Sequence, residues 1–151
     1  MAFPLPDPMR LALDAARKAA QDGDVPVGAV VTRGGEVIAT SGNAMRSEFD
    51  PTAHAEMVAL REAARRLGTS RLDECDLWVT LEPCAMCAGA IALARIARLY
   101  FAAPDPKGGA VLHGPRLFGQ PTCQHAPEVY SGIGEREAGA LLRDFFRERR
   151  R

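Results

Sequence analysis

The stretch from residue 77 to residue 103 limits the possible folds more than any other part of the chain. Leu77-Trp78-Val79-Thr80-Leu81 is built from the β-branched, aromatic and large aliphatic residues that favour a strand, and residues 98–103 form a second such run. Between them, residues 84–95 are apolar on every face, so a helix there is expected to be buried. Pro83 suits the opening of that helix, where a missing N–H costs nothing. A helix that crosses between two strands belongs to a sheet covered by helices.

The flanking segments continue the alternation. Met9, Ala12, Leu13, Ala16 and Ala20 fall on one helical stripe, and Asp22-Gly23-Asp24 ends that helix. Two short β-rich runs, 25–32 and 37–39, flank Gly34-Gly35 and read as a hairpin. A polar stretch through Asp50 and Pro51 leads to a second helix over about 53–67, with Met57, Leu60, Ala64 and Leu67 as its stripe and Gly68 at its end. After the fourth strand comes a Pro- and Gly-rich loop over 104–115, then a short strand at 128–131. A final amphipathic helix from Glu135 carries Ala138, Leu141, Leu142, Phe145 and Phe146. No repeat or linker interrupts this order, and 151 residues suit one domain that buries roughly 70% of its unfolded surface without staples.

Charge and length exclude several classes. Nineteen Lys plus Arg against nineteen Asp plus Glu leave no net charge, unlike a histone-like protein or an acidic tail. Only Lys18 and Lys107 are lysines among those cations. The longest uncharged apolar run, 84–94, covers 11 residues, against the roughly 20 that span a bilayer, and the N-terminus lacks the pattern of a signal peptide. Four cysteines in such a chain, two of them three apart, point to a metal site before a disulfide, and the expected location is cytoplasmic.

The chemistry concentrates in His54-Ala55-Glu56 and Pro83-Cys84-Ala85-Met86-Cys87. Zinc takes nitrogen and sulfur ligands in a tetrahedron, and a catalytic site supplies three of them and leaves the fourth position open. His54, Cys84 and Cys87 make that set, and the i, i+3 spacing of the cysteines puts both sulfurs on one helical face. Backbone N–H groups at the helix start favour thiolates there. Glu56 is the proton carrier such a site needs. Two positions along a regular helix is about 200°, so Glu56 and His54 converge only if His54 lies at the helix start, where Asp50-Pro51-Thr52 offer capping groups. The competing reading is a structural zinc knuckle closed by Cys75, Cys123, His113 or His125, or a redox pair.

His54-Ala55-Glu56 with Pro83-Cys84-Ala85-Met86-Cys87 matches the nucleoside and nucleobase zinc-deaminase signature. Together with Pro26-Val27-Gly28-Ala29, Asn43, Asp50-Pro51-Thr52-Ala53, Thr80-Leu81-Glu82 and Asp144-Phe145-Phe146-Arg147, the chain resembles the bacterial tRNA-specific adenosine deaminases from about Pro26 to Arg150. The resemblance implies a three-layer α/β/α cytidine-deaminase-like fold around a mixed five-stranded sheet. It implies deamination of adenosine to inosine at the wobble position of a tRNA anticodon, chiefly of an arginine tRNA, by a homodimer with one zinc ion per subunit. His54, Cys84 and Cys87 would then bind zinc and Glu56 would move protons. Asn43 would hold the flipped base and Val27 would line its pocket. Asp105 and Lys107 would meet RNA beside the target, and Phe146, Arg149 and Arg150 would meet the anticodon stem-loop.

Residues 141–151 hold five arginines against Asp144 and Glu148, a local excess that suits unpaired RNA beside aromatic rings. The plainer reading is a solvated helix end, with Phe145 in the core. Asn43 likewise could be a loop residue capping backbone N–H groups. Residues 108–127 depart from the family pattern, which leaves the substrate open to a second reading, a deaminase of a free base or nucleoside such as guanine or cytosine; a third reading, which Glu56 discriminates, is a structural zinc module that binds RNA or a partner. No role attaches to Cys75, Cys123, His113 or His125, with a second metal contact from Cys123 and His125 as a minor option.

Overall fold

In the computed structural model, which describes residues 4–149, nine regular elements and one short turn of helix alternate along the chain. They are α1 (Asp7–Gln21), β1 (Gly28–Arg33), β2 (Glu36–Gly42), α2 (Ala55–Leu67), β3 (Cys75–Leu81), α3 (Ala85–Ala94), β4 (Arg98–Ala103), a 3-10 turn (Leu117–Gly119), β5 (Glu128–Ser131) and α4 (Glu135–Arg149). The strands form one sheet in the order β2-β1-β3-β4-β5. β1 is antiparallel to β2 and β3, whereas β3, β4 and β5 are parallel. This is the mixed five-stranded sheet with helices on both faces that the sequence led us to expect.

Alternation along the strands assigns the layers. Ala29, Val31, Leu77, Val79, Leu99 and Phe101 share one core with Ala59, Leu60 and Ala63 of α2 and Ala88 and Ile91 of α3. Val30 and Ala102 face the other way, into a second core with Met9, Ala12 and Leu13 of α1 and Ala138 of α4. Successive strand side chains point to opposite faces, so the sheet separates two apolar cores, and Leu81 at the end of β3 packs against both. The β1–β2 hairpin turns at Gly34 and Gly35, with φ of 57° and 82°, the left-handed pair that a two-residue turn matching the strand twist demands.

Several boundaries and faces differ from the sequence reading. Strand β1 starts at Gly28 rather than at Val25, and β2 runs over all of Glu36–Gly42. In α1 the buried stripe takes Ala19 in place of Ala20. In α2 it is Ala55, Glu56, Ala59, Leu60 and Ala63, with Met57, Ala64 and Leu67 at its margin. An alanine-rich helix is apolar over most of its surface, and close approach to the sheet selects the small residues. Helix α3 begins at Ala85, so Pro83 precedes it instead of occupying its first turn. Nor is α3 buried all round: Cys87, Ala88, Ile91 and Ala92 are, while Leu93 is 79% exposed and Met86 36%. No helix of the described residues is long and apolar enough to cross a membrane.

Candidate metal centre

Strand directions gather the site. β2 and β3 are each antiparallel to β1 and therefore point the same way, as does β4. The connections leaving β2, β3 and β4 thus emerge at one end of the sheet, where β1 also begins. That single edge receives Val27 and Gly28 before and at the start of β1, Asn43 after β2, Cys84 after β3 and Asp105 after β4.

His54 and Cys84 hold equivalent places there. Each is the residue just before a helix, with extended backbone at φ −66°, ψ 151° and φ −75°, ψ 177° respectively. The His54 Nδ1 atom lies 3.6 Å from the Cys84 sulfur and 3.6 Å from the Cys87 sulfur. Bonds of roughly 2.3 Å to sulfur and 2.0–2.1 Å to nitrogen at the tetrahedral angle imply an N···S separation of about 3.6 Å. The three side chains therefore fit a tetrahedral zinc ion. Among the described residues no fourth histidine, cysteine or carboxylate joins them within the 4.8 Å span of their ligand atoms.

Without a metal the two sulfurs divide one proton. Cys84 is held down to about 5 by the neighbouring Cys87 thiol, which outweighs the effect of burial, with help from the N–H groups of Cys87 and Met86. Cys87 is pushed up by donating to Cys84 and by its own burial. The helix start therefore favours a thiolate at Cys84, and a divalent cation would supply the charge needed for a second.

Glu56 is the second residue of α2 and only 4% exposed. Burial, and then the negative charge of Cys84, raise its carboxyl above the usual range against contacts with His54 and Cys87. Because His54 precedes the helix, the two side chains meet on one side despite a spacing that would part them inside a regular turn. The cap is not Asp50 or Thr52, since the Asp50 carboxylate accepts from the Thr52 N–H and hydroxyl in a local turn, at 2.9 and 2.7 Å. It comes from Asn43, whose Oδ1 accepts from the Ala55 N–H at 2.8 Å while its Nδ2 donates to the Val25 carbonyl at 3.2 Å. Asn43 thus makes the capping contacts of the plainer reading.

The other expected site residues are spread along the same edge. Val27 is buried. Asp105 accepts from the N–H groups of Lys107 and Gly108 at 3.2 and 3.0 Å, and Lys107 is exposed. Phe146 is 45% exposed beside Phe145, whose ring carries the Arg149 guanidinium 4.5 Å from its centre. Arg149 reaches the Gly23 carbonyl at 3.3 Å, and Arg46, which the sequence did not single out, reaches it at 3.2 Å. Arg150 lies outside the described residues. Cys75 is buried at the start of β3. The Cys123 thiol donates to the His125 carbonyl and the His125 ring meets the Ile96 carbonyl, so neither approaches the cluster.

His113, a candidate fourth zinc ligand in the sequence reading, instead pairs with Glu82 at 2.8 Å beside the loop after β4, and Glu82 had no role of its own in that reading. An acidic residue closing an apolar strand directly before Pro83 was the available signal.

Residues 6–103 match the cytidine and deoxycytidylate deaminase zinc-binding region. A tRNA-specific adenosine deaminase of Agrobacterium fabrum is 58% identical over 142 residues, covering 94% of this chain and 93% of that protein. A solved structure from work on A-to-I editing by tRNA:A34 deaminases at the wobble position of transfer RNA superposes with a TM-score of 0.89 at 56% identity, over 89% of this chain and 98% of that one. The guanine deaminase of Nitrosomonas europaea superposes at 0.80 with 25% identity, over 96% and 86%. A three-ligand cluster with a buried carboxylate beside it, on this sheet and at this identity, makes the chain a member of the cytidine and deoxycytidylate deaminase family, in the branch of the tRNA-specific adenosine deaminases.

Proposed function

We propose that this protein hydrolytically deaminates adenosine to inosine at the wobble position of a tRNA anticodon, an arginine tRNA in the first instance. His54, Cys84 and Cys87 hold one zinc ion per chain, and Glu56 carries the protons. The observation that bears most of the weight is the buried carboxyl of Glu56 beside three ligands that leave one side of the cluster open. A structural zinc module has no use for it.

Zinc held by His54, Cys84 and Cys87 would lower the pKa of a water molecule towards roughly 7 and so would supply a nucleophile at neutral pH. Glu56 takes the proton that the water gives up and delivers it to N1 of the adenine ring as C6 is attacked. It then takes the proton of the new C6 hydroxyl and passes it to the exocyclic nitrogen, so that the C6 carbonyl of inosine forms as the C–N bond breaks and ammonia leaves. Burial raises the Glu56 carboxyl above the ordinary carboxylate range, which favours holding a proton between acceptance and return. Asn43 fixes the start of α2 and with it both His54 and Glu56, and its place beside Val27 at the sheet edge supports contact with the flipped base.

To the RNA contacts we assign Asp105 and Lys107 of the loop after β4, Phe146 and Arg149 of the last helix, and Arg150, which follows them in sequence. Unpaired bases stack on aromatic rings and guanidinium planes while arginine attracts phosphate, which Phe146 and Arg149 together can offer. The protein works as a homodimer through the outer face of α3, where Met86 and Leu93 are exposed. The test incubates pure protein with the anticodon arm of an arginine tRNA, and separately with adenosine, guanine and cytosine, and measures inosine and ammonia. Inosine in the RNA is the expected result. Turnover of a free base with none of the RNA would replace this reading with that of a nucleobase deaminase.

A further inference from the structure

Glu82 is a carboxylate with no exposed side-chain surface, two residues before Cys84. One of its oxygens, Oε2, accepts from three successive backbone N–H groups, those of Val111, Leu112 and His113, at 3.1, 2.9 and 3.1 Å. The other, Oε1, accepts from the Asp105 N–H at 3.0 Å and pairs with His113 Nδ1 at 2.8 Å. The chain folds tightly round this group. A Cβ at Gly109 would come within 2.5 Å of the carboxylate carbon and 2.6 Å of the Asp105 carbonyl oxygen, so only glycine fits. The Ala110 N–H closes the loop on the Pro83 carbonyl at 2.9 Å.

Burying a carboxylate is costly unless it is hydrogen-bonded, and this one is satisfied almost wholly by a loop remote in sequence. From both of its oxygens we infer that Glu82 is a positioning residue, holding the 105–113 loop against the start of the metal-bearing helix and thereby setting affinity for RNA rather than the rate of the chemical step. The inference rests on the tRNA-deaminase reading, because it is that reading which gives Asp105 and Lys107 their role. Three consecutive residues, Glu82, Pro83 and Cys84, then fix the loop and the first sulfur ligand together. That is a physical reason for an unusual loop sequence to keep its place beside the reaction centre.

Glu82→Gln tests this without changing the size of the side chain. Its single oxygen can still serve the N–H groups of 111–113, but its NH2 then faces the Asp105 N–H, donor against donor. The loop should therefore detach at Asp105, next to Lys107. His113→Ala is the milder variant, because it removes one contact of a ring that is 35% exposed and leaves every backbone N–H in place.

Wild type and both variants, zinc-loaded, are compared by amide hydrogen exchange and by steady-state deamination of the anticodon arm. In Glu82→Gln, exchange over 104–113 should rise about tenfold or more while 85–94 stays protected and zinc content is unchanged. KM for the RNA should rise about tenfold with kcat within about twofold, and His113→Ala should move both readouts the same way by less. Unchanged exchange, a fall in kcat at constant KM, or loss of zinc from a folded variant would each overturn the assignment. If Glu82→Gln does not fold, an unmoved His113→Ala overturns it. A wild-type protein that leaves the RNA unmodified removes the tRNA-deaminase reading and the RNA role with it, while exchange, which needs no substrate, decides separately whether Glu82 holds the loop.

Discussion

Replacing Asn43 with alanine removes two hydrogen bonds that tie three segments together. The first caps α2 at the Ala55 N–H, 2.8 Å away, and the second holds the Val25 carbonyl at 3.2 Å. Loss of an N-terminal cap typically costs about 1 kcal/mol, and a second partly buried hydrogen bond about 1 more. For a domain of this size, about 2 kcal/mol lowers the melting temperature by roughly 4–8 °C. Asn43→Asp keeps an acceptor at the start of α2, where negative charge is favoured, and loses only the donor to Val25, so it should fall about half as far. The capped end carries both His54 and Glu56, so kcat of Asn43→Ala should drop as well. Calorimetry of the zinc-loaded proteins measures the first effect and deamination of the anticodon arm the second. A melting temperature within about 1 °C of wild type, alongside a collapse of RNA affinity alone, would refute the reasoning and leave Asn43 a substrate contact only.

Other consequences are equally measurable. Glu56→Gln should keep its zinc and its melting transition, yet lose about 10²–10⁴-fold in kcat, and retained turnover would exclude Glu56 as the proton carrier. In chelator-stripped protein, Cys84 should be alkylated by iodoacetamide with a midpoint near the value of about 5 while Cys87 stays unreactive, as mass spectrometry of the two sites can show. Since the folded state lowers Cys84 from an unfolded value near 9.0, its contribution to stability is complete above that pH. It is lost as pH falls towards about 5, so the metal-free protein should melt progressively lower across that window. Leu93→Glu, at a position 79% exposed, should leave the monomer folded but shift sedimentation from dimer to monomer.

Much of this molecule is written in local pattern. The alternation of strands and helices, the Gly34-Gly35 hairpin, and the two short motifs His54-Ala55-Glu56 and Cys84-Ala85-Met86-Cys87 all depend on residues close in sequence, whose spacing and backbone preferences act locally. Local pattern failed where a face had to be chosen. Nothing in the composition of α3 distinguishes Ile91, fully buried, from Leu93, because both are apolar and only the position of the sheet separates them. The same ambiguity displaced the stripe of α2, whose alanines pack inward while Met57 stays at the margin.

Contacts between distant segments belong to the tertiary structure alone. Asn43 caps a helix 12 residues ahead. Glu82 gathers N–H groups 23 to 31 residues further along the chain. Arg46 and Arg149 come together at one carbonyl, although 103 positions separate them. A hydrogen bond has a reach of about 3 Å and no signature in the intervening sequence, so such partners are fixed only when strand order and direction bring one end of β1, β2, β3 and β4 to the same edge. The residue types for the chemistry were therefore legible from the chain, but the residues that hold them in place were decided by the sheet.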